Sequence, residues 1–248
     1  MKQTRILMGM PITLEVIDPS ATETEFGQVF SYFEYVDDKF STYKDTSEIS
    51  QINRGELALE DSSDDMKTIF GLSEQTRLET NGYFNIQHNG QFDPSGVVKG
   101  WSIFNAAQIL RQQGFENFYV EAGGDIQMSG MNDQGEAWRV GIRNPFNLDE
   151  IVKVLSVTDR GVATSGTYVR GQHIYNPMAE DQLITEILSL TVIGPDIYEA
   201  DRFATAAFAM GKDGINFMEC LEGFEGYMID HNKRATFTTG FEKWVLHA

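Results

Sequence analysis

Apolar residues Ile12, Leu14 and Val16 alternate with Thr13 and Glu15, the two-residue period of a half-buried strand that stops at the Asp18-Pro19 turn. The period then changes. Phe26, Val29, Phe30, Phe33 and Val36 recur at helical spacing behind Thr22 and Glu25, which form a capping box. This aromatic stripe reads as the core face of a helix, not as a ligand surface. A polar stretch with Ser41-Thr42-Tyr43 and a short segment over 47–53 follow, and Tyr43 there can stack on a planar ligand or cap the core. A second helix is predicted over 64–80, with Met66, Ile69, Phe70 and Ser73 inward and Asn81-Gly82 as its stop. A third is predicted over 97–111, with Trp101, Phe104 and Leu110 near one face and Gly114 after its end.

Strand signals then crowd together at 118–121, 126–131, 138–142 and 152–157, separated by turns such as Asn132-Asp133-Gln134-Gly135. Those gaps are too short for helical crossovers, so the sheet should be largely antiparallel. A further strand is predicted over 188–193, a helix over 197–210 before Gly211, and two closing strands at 226–229 and 235–238. The pattern is that of an α+β protein, a largely antiparallel sheet with flanking helices, in one domain over 1–248 without repeats or linkers.

The chain has 248 residues, 41% of them hydrophobic, enough for an ordinary core. Its formal charge of -18 repels polynucleotides and anionic membrane surfaces, so no nucleic-acid partner is expected. An anionic ligand must then meet local positive charge or a metal, which draws attention to Lys99. The single cysteine, Cys220, excludes an internal disulfide framework and reads as a small core residue. The N-terminal stretch lacks the apolar block of a secretory signal, and neither a lipid anchor nor a membrane span is visible, so the expected location is cytoplasmic.

Five places could carry chemistry. Asp201 and Thr205 lie four apart on a helical pattern, so a carboxylate and a hydroxyl share one face and can address one hard cation, magnesium or calcium; a solvated helix face is the plainer reading. Gly96 and Gly100 flank Lys99 on a glycine-hinged turn before helix N–H groups that favour phosphate, although the spacing is not that of a Walker A loop. Asp93 there can cap the helix or accept from a ligand. Gly123-Gly124 before Asp125 marks a tight turn that lets a ligand approach backbone, and Thr164-Ser165-Gly166 offers a similar turn to phosphate. His173, in Gly171-Gln172-His173-Ile174-Tyr175-Asn176-Pro177, can take a proton from a hydroxyl near neutral pH or serve as an ordinary hydrogen-bonding residue.

The order and spacing of these blocks resemble the ApbE family of FAD:protein FMN transferases over most of the chain. The matching elements are Met8-Gly9-Met10 before the first strand, Ser41-Thr42-Tyr43, Ser47-Glu48-Ile49-Ser50, Asp93 to Gly100, and Ala122 to Asp125. They continue through Trp138-Arg139-Val140-Gly141-Ile142, Ala163 to Gly166, His173 to Pro177, and Glu199 to Thr205. The resemblance implies a T-fold-related domain that binds FAD as substrate and uses Mg²⁺ to move FMN onto a threonine or serine of an acceptor flavoprotein, releasing AMP. It implies magnesium held by Asp201, Thr205 and the Gly96 carbonyl, His173 as general base, and Lys99 as catalytic positive charge. FAD contacts would come from Met8, Tyr43, Asp93, Lys99, Gly123, Gly124, Asp125, Ser165 and Tyr175. Phe84-Asn85-Ile86-Gln87 departs from the family's Phe-Asp-Ile-Thr and runs into Asp93 without the usual insertion, Asn176 replaces an aspartate, and Ala204 an acidic residue. FAD pyrophosphatase activity and non-catalytic FAD binding are the alternatives.

Overall fold

The structure, a computed structural model, describes residues 1–167, 174–179 and 182–247. A hairpin opens the chain: β1 (Lys2–Leu7) and β2 (Met10–Val16) pair with Leu7 opposite Met10, through a two-residue loop in which Met8 and Gly9 both have positive φ (52° and 71°). That is the tight turn whose twist matches the flanking strands. Helix α1 (Glu23–Phe40) starts at the predicted capping box on Thr22 and Glu25, and its five predicted stripe residues are all buried. Helices α2 (Glu48–Asn53) and α3 (Asp64–Glu79) follow, each capped by a serine, Ser47 and Ser63, whose hydroxyl accepts a backbone amide. The short β3 (Gln87–His88) and β4 (Gln91–Phe92) form a separate hairpin before α4 (Ser95–Gln112). As predicted, α4 stops just before Gly114, at φ +89°.

After α4 come β5 (Phe118–Ala122), β6 (Asp125–Ser129), β7 (Trp138–Asn144), β8 (Asn147–Val157), β9 (Gly161–Gly166), β10 (Ile187–Gly194), α5 (Ile197–Ala209), α6 (Gly214–Glu219), β11 (Glu225–Asp230) and β12 (Ala235–Phe237). The main sheet has eight strands in the order β1-β2-β5-β6-β9-β10-β11-β12, with antiparallel pairing throughout. Strand alternation gives the sheet two apolar faces. Leu14, Val120, Ala163, Leu190 and Met228 pack under α1, α4, α5 and α6. Val162, Ile193, Tyr227 and Ile229 pack on the other face against Trp138, Val140 and Leu155.

Four expectations need correction. A strand, β1, precedes Met8. It is an edge strand, with most of its residues exposed, so it carries little apolar signal. The predicted strands around 138–142 and 152–157 are not inserted in the main sheet but form their own two-stranded sheet. Trp138, Val140 and Ile142 alternate with exposed Arg139, Gly141 and Arg143, so the hairpin is a one-faced cover over the second core. Thr164-Ser165-Gly166 is not a turn, because all three residues lie in β9 between β6 and β10. Cys220 is exposed, since it caps the short α6 with its side chain outside the core.

Candidate active site

Of the predicted residues, Lys99, Asp125 and Asp201 come together where α4 and α5 cross the start of β6. The Gly123-Gly124 turn has φ of +60° and +98° and joins β5 to β6 with Ala122 opposite Asp125, so it delivers the Asp125 side chain to the helix-covered face. A side chain at either position would strain a left-handed backbone. Lys99 does not sit on a glycine-hinged turn; it lies within α4, as the helix predicted over 97–111 implies, on the side facing α5. Its ammonium is 2.5 Å from Asp125 Oδ2 and 3.2 Å from Asp201 Oδ1. The Gly100 amide donates to Asp201 Oδ2 at 2.8 Å, and the Thr164 amide donates to Asp125 Oδ1 at 3.0 Å. Gly100 has to be glycine, because a Cβ there would meet Asp201 Cβ at 2.7 Å and the Ile197 carbonyl oxygen at 2.9 Å.

Asp201 is only 1% exposed and Thr205 is half-buried, so the pair does not form a solvated helix face. Burial pushes its carboxyl up to about 7; Lys99 pulls the other way, and Asp125 adds to the push. Thr205, one turn on, packs beside Gly96: a Cβ on Gly96 would lie 3.4 Å from Thr205 Cγ2. Among the described residues, two almost fully buried carboxylates thus share one ammonium, with Thr205 one helical turn beyond Asp201. These hard oxygen donors suit a magnesium-sized cation. Among the described residues no group of three or more His, Cys, Asp or Glu could hold a metal, so such an ion would draw its remaining ligands from hydroxyl, carbonyl or substrate oxygen.

The other predicted residues are placed as follows. Tyr43 is 97% exposed, which removes the core-capping alternative. Met8 packs partly buried against two apolar clusters. Asp93 is exposed and accepts the Ser95 amide at 3.0 Å in an Asx turn just ahead of α4, whose N-cap position is Pro94 and has no side-chain cap. Ser165 is buried within β9, opposite Leu190. The Tyr175 hydroxyl donates to the Asn85 carbonyl at 2.6 Å, and its ring lies 4.0 Å from that of His88, which ties it to the β3–β4 hairpin. His173 lies outside the described residues.

Sequence reasoning missed the Gly100 amide, Gln127 and Arg202. Arg202, buried beside Asp201, donates to Glu79 and to Glu199 and Thr76. Glu199 stands three residues before Arg202, a spacing readable as a helical ion pair. Glu79 is far away in the chain, and nothing local signals it.

The fold and site define an antiparallel-sheet protein whose helix-covered face holds a buried, under-neutralised acidic cluster at glycine-rich backbone. The chain belongs to the ApbE family, whose model matches residues 8–90 and 87–228. It is 34% identical over 131 residues to a FAD:protein FMN transferase of Vibrio cholerae serotype O1, covering 49% of this chain and 39% of that protein. A FAD:protein FMN transferase of Escherichia coli K12 is 30% identical over 146 residues, 55% of this chain and 42% of that one. These matches span less than half the length of the curated relatives. Among solved structures, the flavin transferase ApbE from Vibrio cholerae superposes with a TM-score of 0.86 at 22% identity, covering 98% of each chain. An ApbE protein from Thermotoga maritima gives 0.87 at 19% identity, covering 100% of this chain and 99% of that one.

Proposed function

We propose that this protein is a FAD:protein FMN transferase that moves FMN from FAD to a threonine or serine hydroxyl of an acceptor flavoprotein and releases AMP. The observation that carries this reading is the Lys99–Asp125–Asp201 cluster, two buried carboxylates to one ammonium among the described residues, set at the Gly123-Gly124 turn. The names of the relatives supply the substrate. Asp201, Thr205 and the Gly96 carbonyl are the residues that would hold Mg²⁺, which neutralises pyrophosphate charge and polarises the phosphorus under attack.

The chain's own residues align the substrates and accept a proton. Lys99 bridges Asp125 and Asp201 and presents positive charge to the phosphates in an otherwise acidic protein. The exposed Tyr43 ring offers a stacking plane, and Met8, Asp93, the Gly123-Gly124 backbone, Asp125, Ser165 and Tyr175 complete the FAD contacts. His173 takes the proton of the incoming hydroxyl as a new P–O ester forms to the FMN phosphorus and the bond to AMP breaks. No helix among the described residues is long and apolar enough to cross a membrane, and the reaction is assigned to the cytoplasm.

The test is incubation of purified protein with FAD and a threonine-containing acceptor peptide, with and without Mg²⁺, following AMP, FMN and peptide mass. The expected result is a peptide one FMN heavier with matching AMP, only when Mg²⁺ is present. Free FMN with AMP would replace transfer by hydrolysis, and FAD that stays intact with a competent acceptor would overturn both.

A further inference from the structure

We infer that Gln127 is a positioning residue for the cluster: it fixes the start of α5 on the sheet and thereby sets where the Asp201 carboxylate stands. This rests on the transferase reading only for its catalytic consequence; the geometry stands alone. Asp125 and Gln127 are two apart in β6 and therefore point to the same face, toward α5. Gln127 is 1% exposed. Its Oε1 accepts the Ile197 amide, the first of α5, at 2.9 Å, and its Nε2 donates to the Met128 and Arg160 carbonyls at 3.0 and 3.2 Å. The side chain is thus locked at both ends by backbone.

The spacings match. From Gln127 back to Asp125 the strand advances about 6.6 Å. From Ile197 to Asp201 the helix advances about 6 Å and returns to the same face. Anchoring Ile197 on Gln127 therefore brings Asp201 alongside Asp125, where the Lys99 ammonium bridges the two.

A second contact independently fixes the same end of α5. Gly161 is the register partner of Gln127 in β9, and a Cβ there would fall 2.2 Å from both Asp196 C and Ile197 N. The missing side chain lets the α5 backbone rest directly on the sheet. From the other side, Gly100 of α4 admits Asp201 and donates to it. The helix is gripped at its first turn between two strands and at its second by α4, so a change at Gln127 should be felt at the Gly100–Asp201 hydrogen bond, with no ligand present.

The experiment reads that bond directly. Lys99-Gly100 is the only Lys-Gly step in the sequence. Protein carrying ¹³C-carbonyl lysine and ¹⁵N-glycine therefore gives one amide signal in a carbonyl-filtered spectrum, that of Gly100. In full-length Gln127→Met the signal should move upfield and lose exchange protection. In Gln127→Glu, neutral when buried against carbonyls, one oxygen still accepts the Ile197 amide and the O–H replaces a donation to a carbonyl, so the signal should stay near its wild-type position. Val140→Ala, in the hairpin on the opposite face, is the control for general destabilisation and should leave the signal in place. The Mg²⁺ concentration for half-maximal FMN transfer should rise about 10- to 100-fold in Gln127→Met, the usual effect of losing a residue that orients a ligand. An unmoved Gly100 signal in Gln127→Met, or an equal shift in all three variants, would overturn the inference. A wild-type protein that shows the spectral pattern but transfers no FMN would refute the transferase reading and leave the positioning role intact.

Discussion

Asp201 and Arg202 are neighbours in α5, both buried, and among the described residues each belongs to a cluster of one cation and two carboxylates. Around Arg202 the carboxylates of Glu79 and Glu199 are 39% and 26% exposed while the guanidinium is buried. Around Asp201 the arrangement is inverted: the two carboxylate side chains are 2% exposed and the Lys99 side chain is the more open partner, at 20%. The charge count is the same, but the excess negative charge meets water in one cluster and protein in the other. Solvent relieves the first, which makes it a brace between α3 and α5. The second keeps its excess charge until a proton or a cation arrives, and for that reason it is the better candidate for chemistry.

Removing the carboxylate at the closed cluster should have the largest effect. Asp201→Ala should lower FMN transfer about a thousandfold, in line with several kcal/mol of lost charge stabilisation. Full activity in that variant would dismiss Asp201 as a metal ligand. The same residue predicts a pH dependence of stability without metal. An ordinary carboxyl titrates near 3.9, whereas burial holds Asp201 at about 7. Between those values the folded protein binds the extra proton, so stability is fully present at low pH and is lost as pH rises through 7. Thermal melts in chelator should fall over that window for the wild type and flatten for Asp201→Asn. Parallel curves would mean that Asp201 is not the group responsible.

The open cluster should respond in stability instead. Arg202→Met leaves Glu79 and Glu199 without their shared cation. The loss should be about 2–3 kcal/mol, below that of a fully buried pair because both carboxylates reach water. Urea unfolding measures it, and the Mg²⁺ dependence of the remaining activity should be unchanged. A shifted Mg²⁺ dependence with unaltered stability would reverse the roles assigned to the two clusters.

Much of this contrast was hidden in sequence for a physical reason. Local signals carried the elements: the Thr22–Glu25 box, the Phe26 to Val36 stripe, Gly114 after α4 and the Gly123-Gly124 turn all appear where their residue types demand. The collinear blocks also singled out Asp201, Lys99 and Asp125, which the fold brings together. Local pattern could not tell whether those charges face water. Asp201 and Thr205 read as a solvated pair because helical spacing says which residues share a face, not what covers it. Likewise β9 looked like a phosphate turn, since small hydroxyl residues and glycine mark turns at a surface but also fit a central strand crossed by a helix. The pairing of Arg202 with Glu79 spans the chain and leaves no local trace.

The smallest expected effect lies away from both clusters, at Tyr43. Its ring is almost wholly in solvent, and its backbone amide makes only a 3.4 Å contact to Ser41 Oγ, so packing does not explain an aromatic residue there. Tyr43→Ala should leave thermal stability within about 0.5 kcal/mol, the usual range for a surface change. If the ring stacks on the flavin or adenine plane, FAD should bind about 2- to 10-fold more weakly, since an aromatic pair contributes about 0.5–1.5 kcal/mol. Tyr43→Phe should restore binding, because stacking needs the ring and not the hydroxyl. Titration of FAD fluorescence quenching separates the cases. Unchanged affinity in Tyr43→Ala would make the residue a bystander, while weakening in both variants would shift the contact from the ring face to the phenol. Neither result would disturb the Asp201 cluster, whose charge deficit is built from residues that Tyr43 does not touch.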